Sequence, residues 1–348
     1  MKVKINATDT LTFGVGKPSV WGEDSFGRGT FPPFPSVVRG AVRAGWLHEN
    51  LAAENANTDL DETKNCYVSE YALLLNDEAY FPAPADYALS GEDTLIRCKL
   101  QKNDALSSLK TKYQLWAEDD GKLKTAEGRY ISRSALGEYL AGGKIDASVS
   151  LGGYITDEDK TGFYRNRSTN TAKRQMLYNS PLKRLQNGSN RAALAANIWG
   201  IQFEGLVRFG GEGKTASFTQ CSCDISPGLP KGFKSDDEKI NENGEFKLYL
   251  ATPAFFKSGC MPSFLNEENS YAELLTAAIY GYESIGGFDM QAKRPKQMLR
   301  AVKAGSVYYC RLRANTPDNR QKALSLHAKS ISEFSKEDGF GICYIGKI

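Results

Sequence analysis

Phe31-Pro32-Pro33-Phe34-Pro35-Ser36-Val37-Val38-Arg39-Gly40-Ala41-Val42-Arg43 is the stretch on which the fold turns. The prolines rule out regular structure before Pro35. Beyond it, Val37, Val38, Ala41, Val42, Gly45 and Trp46 recur at helical spacing, which predicts a helix ending near Asn50. Ser36 stands where an N-cap is expected, and a helix start presents free N–H groups to a phosphate. Arg39 and Arg43 are four apart on one face; they either continue a phosphate contact or form a surface or interdomain salt bridge.

Working outward, Val3–Leu11 alternates as a strand, and the Gly/Pro-rich stretch Gly14–Pro35 is irregular. Thr94–Leu100 and Thr215–Cys223 read as strands, and the polar, basic run Phe163–Tyr178 reads as a protruding hairpin or arm. Pro227–Gly244, with Lys234-Ser235-Asp236-Asp237-Glu238-Lys239, is the best linker. A second unit follows: strand Phe246–Ala251, a helix at Tyr271–Tyr280, a Gly/basic loop at Gly286–Lys296, strand Ser306–Arg313 and closing strand Gly341–Ile345. Each half thus offers a strand, a helix, a Gly-rich basic loop and a further strand. That layout predicts two similar α+β units with antiparallel sheets. The boundaries fall at 1–225, with a basic arm near 160–180, a linker at 226–245, and 246–348.

A chain of 348 residues with 41% hydrophobic and 24% charged residues is a folded protein, neither disordered nor fibrous. No apolar run is long enough to cross a membrane. The N-terminus lacks a signal-peptide pattern, and the seven scattered cysteines read as reduced thiols, so a cytoplasmic location is expected. Cys221-x-Cys223 has no second pair, and the chain holds only two histidines, so no metal or other cofactor is expected.

The net charge of +3 hides segregation. Trp46–Leu95 carries −10, Lys160–Thr215 carries +8 and Met290–Thr316 carries +7. Two basic blocks in different halves suggest a polyanion surface. Their arginines, interleaved with Phe163, Tyr164, Tyr178, Phe209, Tyr308 and Tyr309, favour single-stranded RNA, which is held by phosphate contacts and base stacking.

Several motifs refine this. Gly213-Lys214-Thr215 is not a Walker loop, because Arg208 stands where the pattern needs a glycine and a strand follows. Gly210, Gly211, Gly213 and Lys214 instead suggest an anion nest or a plain turn. Gly286, Gly287 and Phe288, followed by Arg294, Lys296 and Arg300, repeat that chemistry in the second half. Arg165, Arg167, Lys173 and Arg174 on the arm would clamp an RNA backbone or separate adjacent nucleotides. Asp338-Gly339-Phe340-Gly341-Ile342-Cys343-Tyr344 partly matches an RNA-recognition strand, but it lacks the leading cation and reads as a buried closing strand. Glu23 and Asp24 in the Trp21–Ser25 loop could bind Mg²⁺, but read better as acceptors of backbone hydrogen bonds. His48, near the end of the first helix, is the best candidate for acid–base catalysis; His327 is a weaker one.

From Gly22-Glu23-Asp24-Ser25 through Arg43 the chain resembles the RAMP proteins of CRISPR systems. In particular it is similar to the third-subunit family of the Cmr (type III-B) RNA-guided effector complex. Arg165–Tyr178, Phe209–Lys214, Ile285–Asp289 with Arg294–Lys296 and Arg300–Val302, Ala304–Tyr309 and the glycines 339, 341 and 346 agree in order and spacing. The resemblance implies two ferredoxin-like, RNA-recognition-type RAMP domains with loop and hairpin insertions. It implies a non-catalytic subunit that anchors the repeat-derived 5′ tag of the CRISPR RNA. It also implies packing against the large polymerase/cyclase subunit and the backbone RAMP subunit. The first loop departs from the family, with Lys17 and Arg28 as its only cations. Two other classes compete: a metal-independent CRISPR-RNA-processing endoribonuclease using His48, and an architectural subunit that touches protein only.

Overall fold

The first strand, β1 (Lys2–Ala7), buries Val3 and Ile5 on one face, as its alternation requires. The computed structural model describes residues 1–14, 29–51, 62–91, 94–103, 113–119, 121–228, 239–267, 270–289 and 294–348. The Trp21–Ser25 loop, Lys17, Arg28 and the run 234–238 lie outside the described residues. Helix α1 (Pro35–Leu51) lays Val38, Ala41 and Val42 onto the core. It begins at Pro35, one residue before the expected cap, and the Phe34 carbonyl accepts from Val37 N–H at 2.9 Å. Proline suits the first helical position because its φ is preset and its missing N–H leaves nothing unpaired. Ser36 therefore sits inside the first turn.

The chain continues through β2 (Tyr67–Leu75), β3 (Glu78–Pro82), β4 (Arg129–Ser132), α2 (Arg133–Leu140), β5 (Thr156–Arg165), β6 (Ala172–Arg184), β7 (Asn190–Trp199), β8 (Gly205–Arg208) and β9 (Thr215–Gln220). The larger sheet runs β4-β3-β2-β7-β1-β9-β8 and is antiparallel throughout. The later half supplies β10 (Glu245–Leu250), α3 (Ser263–Asn266), β11 (Ala272–Ala278), β12 (Tyr282–Ile285), β13 (Leu299–Val302), β14 (Val307–Leu312), α4 (Pro317–Leu324) and β15 (Ile342–Gly346). Its sheet runs β11-β14-β10-β15, again antiparallel.

The two sheets share one connectivity. In each, a first strand lies between a third and a fourth, with the second outside the third: β2-β7-β1-β9 and β11-β14-β10-β15. In each, a two-stranded hairpin leaves the chain between the second and third strands: β5–β6 and β12–β13. The expected arm is thus β5–β6, and the closing strand β15 is buried throughout.

Two expectations change. Tyr271–Tyr280 is not a helix but contains β11, which pairs with β14 across a register shift between Leu274 and Thr276. That bulge breaks the alternation by which a strand is recognised, and pairing outweighs the helix propensity of its Ala and Leu residues. Cys221 and Cys223 are joined as a disulfide rather than standing as separate thiols.

The halves bury their faces against each other. Leu74, Phe81 and Ala193 from the first share a core with Tyr249, Val307 and Tyr344 from the second. At its polar centre, Asp86 Oδ2 accepts from Tyr139 at 2.8 Å and Tyr309 at 2.6 Å, one tyrosine from each half. Lys247 is 0% exposed, its Nζ 3.3 Å from the centroid of the Tyr139 ring. Burial pushes its ammonium down to about 7, against the pull of Asp86.

Helix α2 is held close by a chain crossing it. A Cβ on Gly137 would fall 1.4 Å from the Gly228 carbonyl oxygen. Gly137→Ala should therefore push the crossing away and lower stability by roughly 1–3 kcal/mol. A urea midpoint equal to wild type would show that the helix does not need this approach.

Candidate nucleic-acid interface

The first arm is rooted by ion pairs and exposed towards its tip. At the root, Leu11 and Lys183 exchange backbone hydrogen bonds of 2.9 and 2.7 Å. Arg184 bonds Glu158 and lies 3.2 Å from Asp9, and Lys183 bonds Asp157. The Lys214 hydrogen bond holds the Asp9 carboxyl below its usual range. Beyond the root, β5 is exposed along most of its length. At the tip, Arg165 Nη2 donates to Asn170 Oδ1 at 2.6 Å, Arg167 is exposed in the turn, and Phe163 and Tyr164 are exposed beside them. Lys173 and Arg174 stand on β6; their side chains lie outside the described residues.

The second arm has the same character. Outside β12–β13 the ladder resumes as Phe288–Asp289 against Arg294–Pro295, with Gly286 and Gly287 between the two pieces. Lys296 N–H donates to the Gly287 carbonyl at 2.9 Å. Arg294, Lys296 and Arg300 are exposed. Arg300 lies 4.6 Å over the ring of Tyr282, which is itself exposed. The Phe288 side chain lies outside the described residues.

The remaining candidates are built into the body. Gly210 (φ 88°), Glu212 (φ 56°) and Gly213 (φ 68°) form the turn between β8 and β9. Gly211 N–H donates to Thr12 O at 2.8 Å, and Lys214 N–H to Gly211 O at 3.1 Å. A Cβ on Gly210 would lie 2.4 Å from Thr12 O, so this glycine allows the turn to press on its neighbour. Lys214 Nζ bonds Thr10 at 2.7 Å and Asp9 at 3.2 Å. The described geometry is thus a packed turn, one of the two readings open at that site.

Arg39 donates to Cys66 O at 2.6 Å, Lys64 O at 3.3 Å and Asp338 Oδ1 at 2.9 Å, which ties α1 to the second half. Arg43 Nε donates to Thr63 Oγ1 at 2.8 Å. For Arg39 the geometry is a salt bridge between the two halves of the chain rather than a free phosphate ligand.

Of the candidate cations with described side chains, the exposed ones lie on the two arms, Arg165 and Arg167 on one and Arg294, Lys296 and Arg300 on the other. The fold leaves Ser36, Arg39, Arg43 and Lys214 in the scaffold. Tyr282 was not singled out in the sequence, where nothing marks it as the ring under Arg300. His48 is exposed on the last turn of α1. His327 Nδ1 accepts from Ile345 N–H at 3.1 Å, a structural bond. Among the described residues no group of three His, Cys, Asp or Glu is placed to hold a metal. None of their helices is long and apolar enough to cross a membrane.

The geometry thus defines a body of two antiparallel sheets of one connectivity, each sending out a basic hairpin. A family model described as CRISPR-associated protein (Cas_Cmr3) matches residues 3–348. The chain belongs to that family, whose members are subunits of type III-B Cmr effector complexes. It is similar to a chain of the cryo-EM structure of the type III-B Cmr-beta bound to cognate target RNA. The identity is 17%, with 89% of this chain and 86% of that one covered and a TM-score of 0.48. The same complex with cognate target RNA and AMPPnP gives 17% identity, coverage of 89% and 86%, and a TM-score of 0.49. A chain of the Csm3-Csm4 subcomplex of the type III-A interference complex gives 11% identity, coverage of 88% and 92%, and a TM-score of 0.33. A search of curated proteins finds no match.

Proposed function

We propose that this chain is a non-catalytic subunit that anchors the repeat-derived 5′ tag of the CRISPR RNA in a type III-B effector complex. There it docks the large polymerase/cyclase subunit and the backbone RAMP subunit at the base of the complex, in support of antiviral defence. The observation that carries this reading is the pair of exposed basic arms at equivalent points of two sheets. Each arm sets guanidinium or ammonium groups beside exposed aromatic rings, the combination that holds single-stranded RNA by phosphate contact and stacking. We read the sheets as two ferredoxin-like domains, divided near 226–245. The family membership supports the assembly partners.

Photocrosslinking with mass spectrometry tests this on the chain co-expressed with its neighbouring subunits and a CRISPR array. Crosslinks from the RNA 5′ tag to 156–184 and 282–302 are expected. An assembled complex whose tag crosslinks to neither arm would favour the architectural reading. RNA cut within its repeat only when His48 is intact would favour the endoribonuclease.

A further inference from the structure

A cavity of about 290 Å³ opens between the two halves at the root of the second arm. Its walls include Phe31, Tyr80 and Tyr130 from the first half and Tyr280, Glu283 and Lys303 from the second. Lys303 Nζ bridges the halves to Glu127 Oε1 at 2.6 Å. Aromatic rings and prolines make up about half of the wall, and the charged lining groups are Glu127, Arg129, Lys303 and the half-buried carboxyl of Glu283. Among the described residues, no group donates a hydrogen bond to that carboxyl.

This combination selects a ligand chemistry. Flat apolar walls suit a planar ring, and a carboxylate accepts hydrogen bonds but cannot donate them. The volume is below that of most drug-sized sites, which start near about 300 Å³, and suits a single base. Single-stranded RNA is read by splaying bases onto aromatic side chains and bonding their Watson–Crick edges. Guanine is the base whose edge offers two adjacent donors, N1–H and N2–H. Glu283 itself lies on β12, the first strand of the arm that carries Arg300 on β13.

We propose that this cavity receives one unpaired guanine of the bound RNA, stacked among the tyrosines, with N1–H and N2–H donating to the Glu283 carboxylate. The assignment rests on the RNA-binding reading above and gives that site a base preference. It also predicts a pH dependence. Burial pushes the Glu283 carboxyl up to about 7; Lys303 opposes this and Glu127 adds to it, with Tyr130 packed alongside. Protonation removes an acceptor, so guanine preference should shrink as pH falls through that value.

The test uses the full-length chain and a short labelled oligouridine carrying one guanosine, inosine or adenosine, titrated by fluorescence anisotropy. Inosine keeps N1–H and lacks the exocyclic amine. The guanosine strand should bind roughly tenfold or more tightly than either of the others. Glu283→Gln should level the three while keeping the salt dependence set by the arms. Equal binding of the three strands by the wild-type chain, with that salt dependence intact, would overturn the pocket and leave the arm reading standing. Salt-independent binding, or none, would overturn both. The base comparison needs no variant, so a folding defect in Glu283→Gln cannot obscure it.

Discussion

Asp86→Ala should lower the unfolding free energy by about 3–5 kcal/mol, the range found when one partner of a buried charged cluster is removed. Asp86 is 0% exposed and accepts two tyrosine hydroxyls, one from each half. Truncation leaves both hydroxyls without an acceptor and Lys247 without a nearby counter-charge. Each such group bears its desolvation penalty uncompensated. A urea midpoint within a few tenths molar of wild type would mean that the halves do not depend on this centre.

Lys247→Met reads the same cluster through pH. The native ammonium titrates near about 7 and the unfolded one near its ordinary value of 10.5. Between those values the unfolded chain binds a proton that the native chain lacks, so stability rises with pH. The slope is at most about 1.4 kcal/mol per pH unit. The methionine variant should lose that rise. Parallel stability–pH curves for the two proteins would place the titration elsewhere.

The largest functional effect is expected from replacing Arg165, Arg167, Lys173 and Arg174 together by glutamine. On a single strand each phosphate contact contributes about 0.7 to the slope of log affinity against log salt, so four contribute up to about 3. Over a fourfold rise in salt, wild-type affinity for tag RNA should then fall roughly fifty-fold further than that of the variant. An unchanged slope would remove this arm from the RNA site. The same replacement should leave stability nearly unchanged, because the arm lies outside the sheets.

The sequence displays some of this and hides the rest. The first arm is legible because a long polar, basic run between apolar strands has nowhere to be buried. β10, β14 and β15 are legible from sustained apolar character. α4 carries readable signals, since Thr316 caps it and Pro317 follows, but it is short and largely polar, without an apolar stripe to mark it. β11 reads as a helix because a bulge spoils its period. Arg39 illustrates the harder limit at the site. Its spacing from Arg43 places both on one face of α1, yet its ion-pair partner Asp338 lies 299 positions away. No local pattern reports that distance. The cavity is hidden for the same reason, because its tyrosines and Glu283 come from both halves of the chain.

The hairpin arms also set a rule for tolerated variation in length. Because strand side chains alternate, adding or deleting residues in matched pairs on both strands changes an arm's reach by about 6.6 Å per pair and keeps each face as it was. A single-residue insertion in one strand instead turns every residue beyond it to the opposite face. The sheets are indifferent to either event, since each arm enters and leaves between the same two strands. Reach is thus adjustable in even steps without disturbing the body, and insertion parity decides which side of the arm presents its cations.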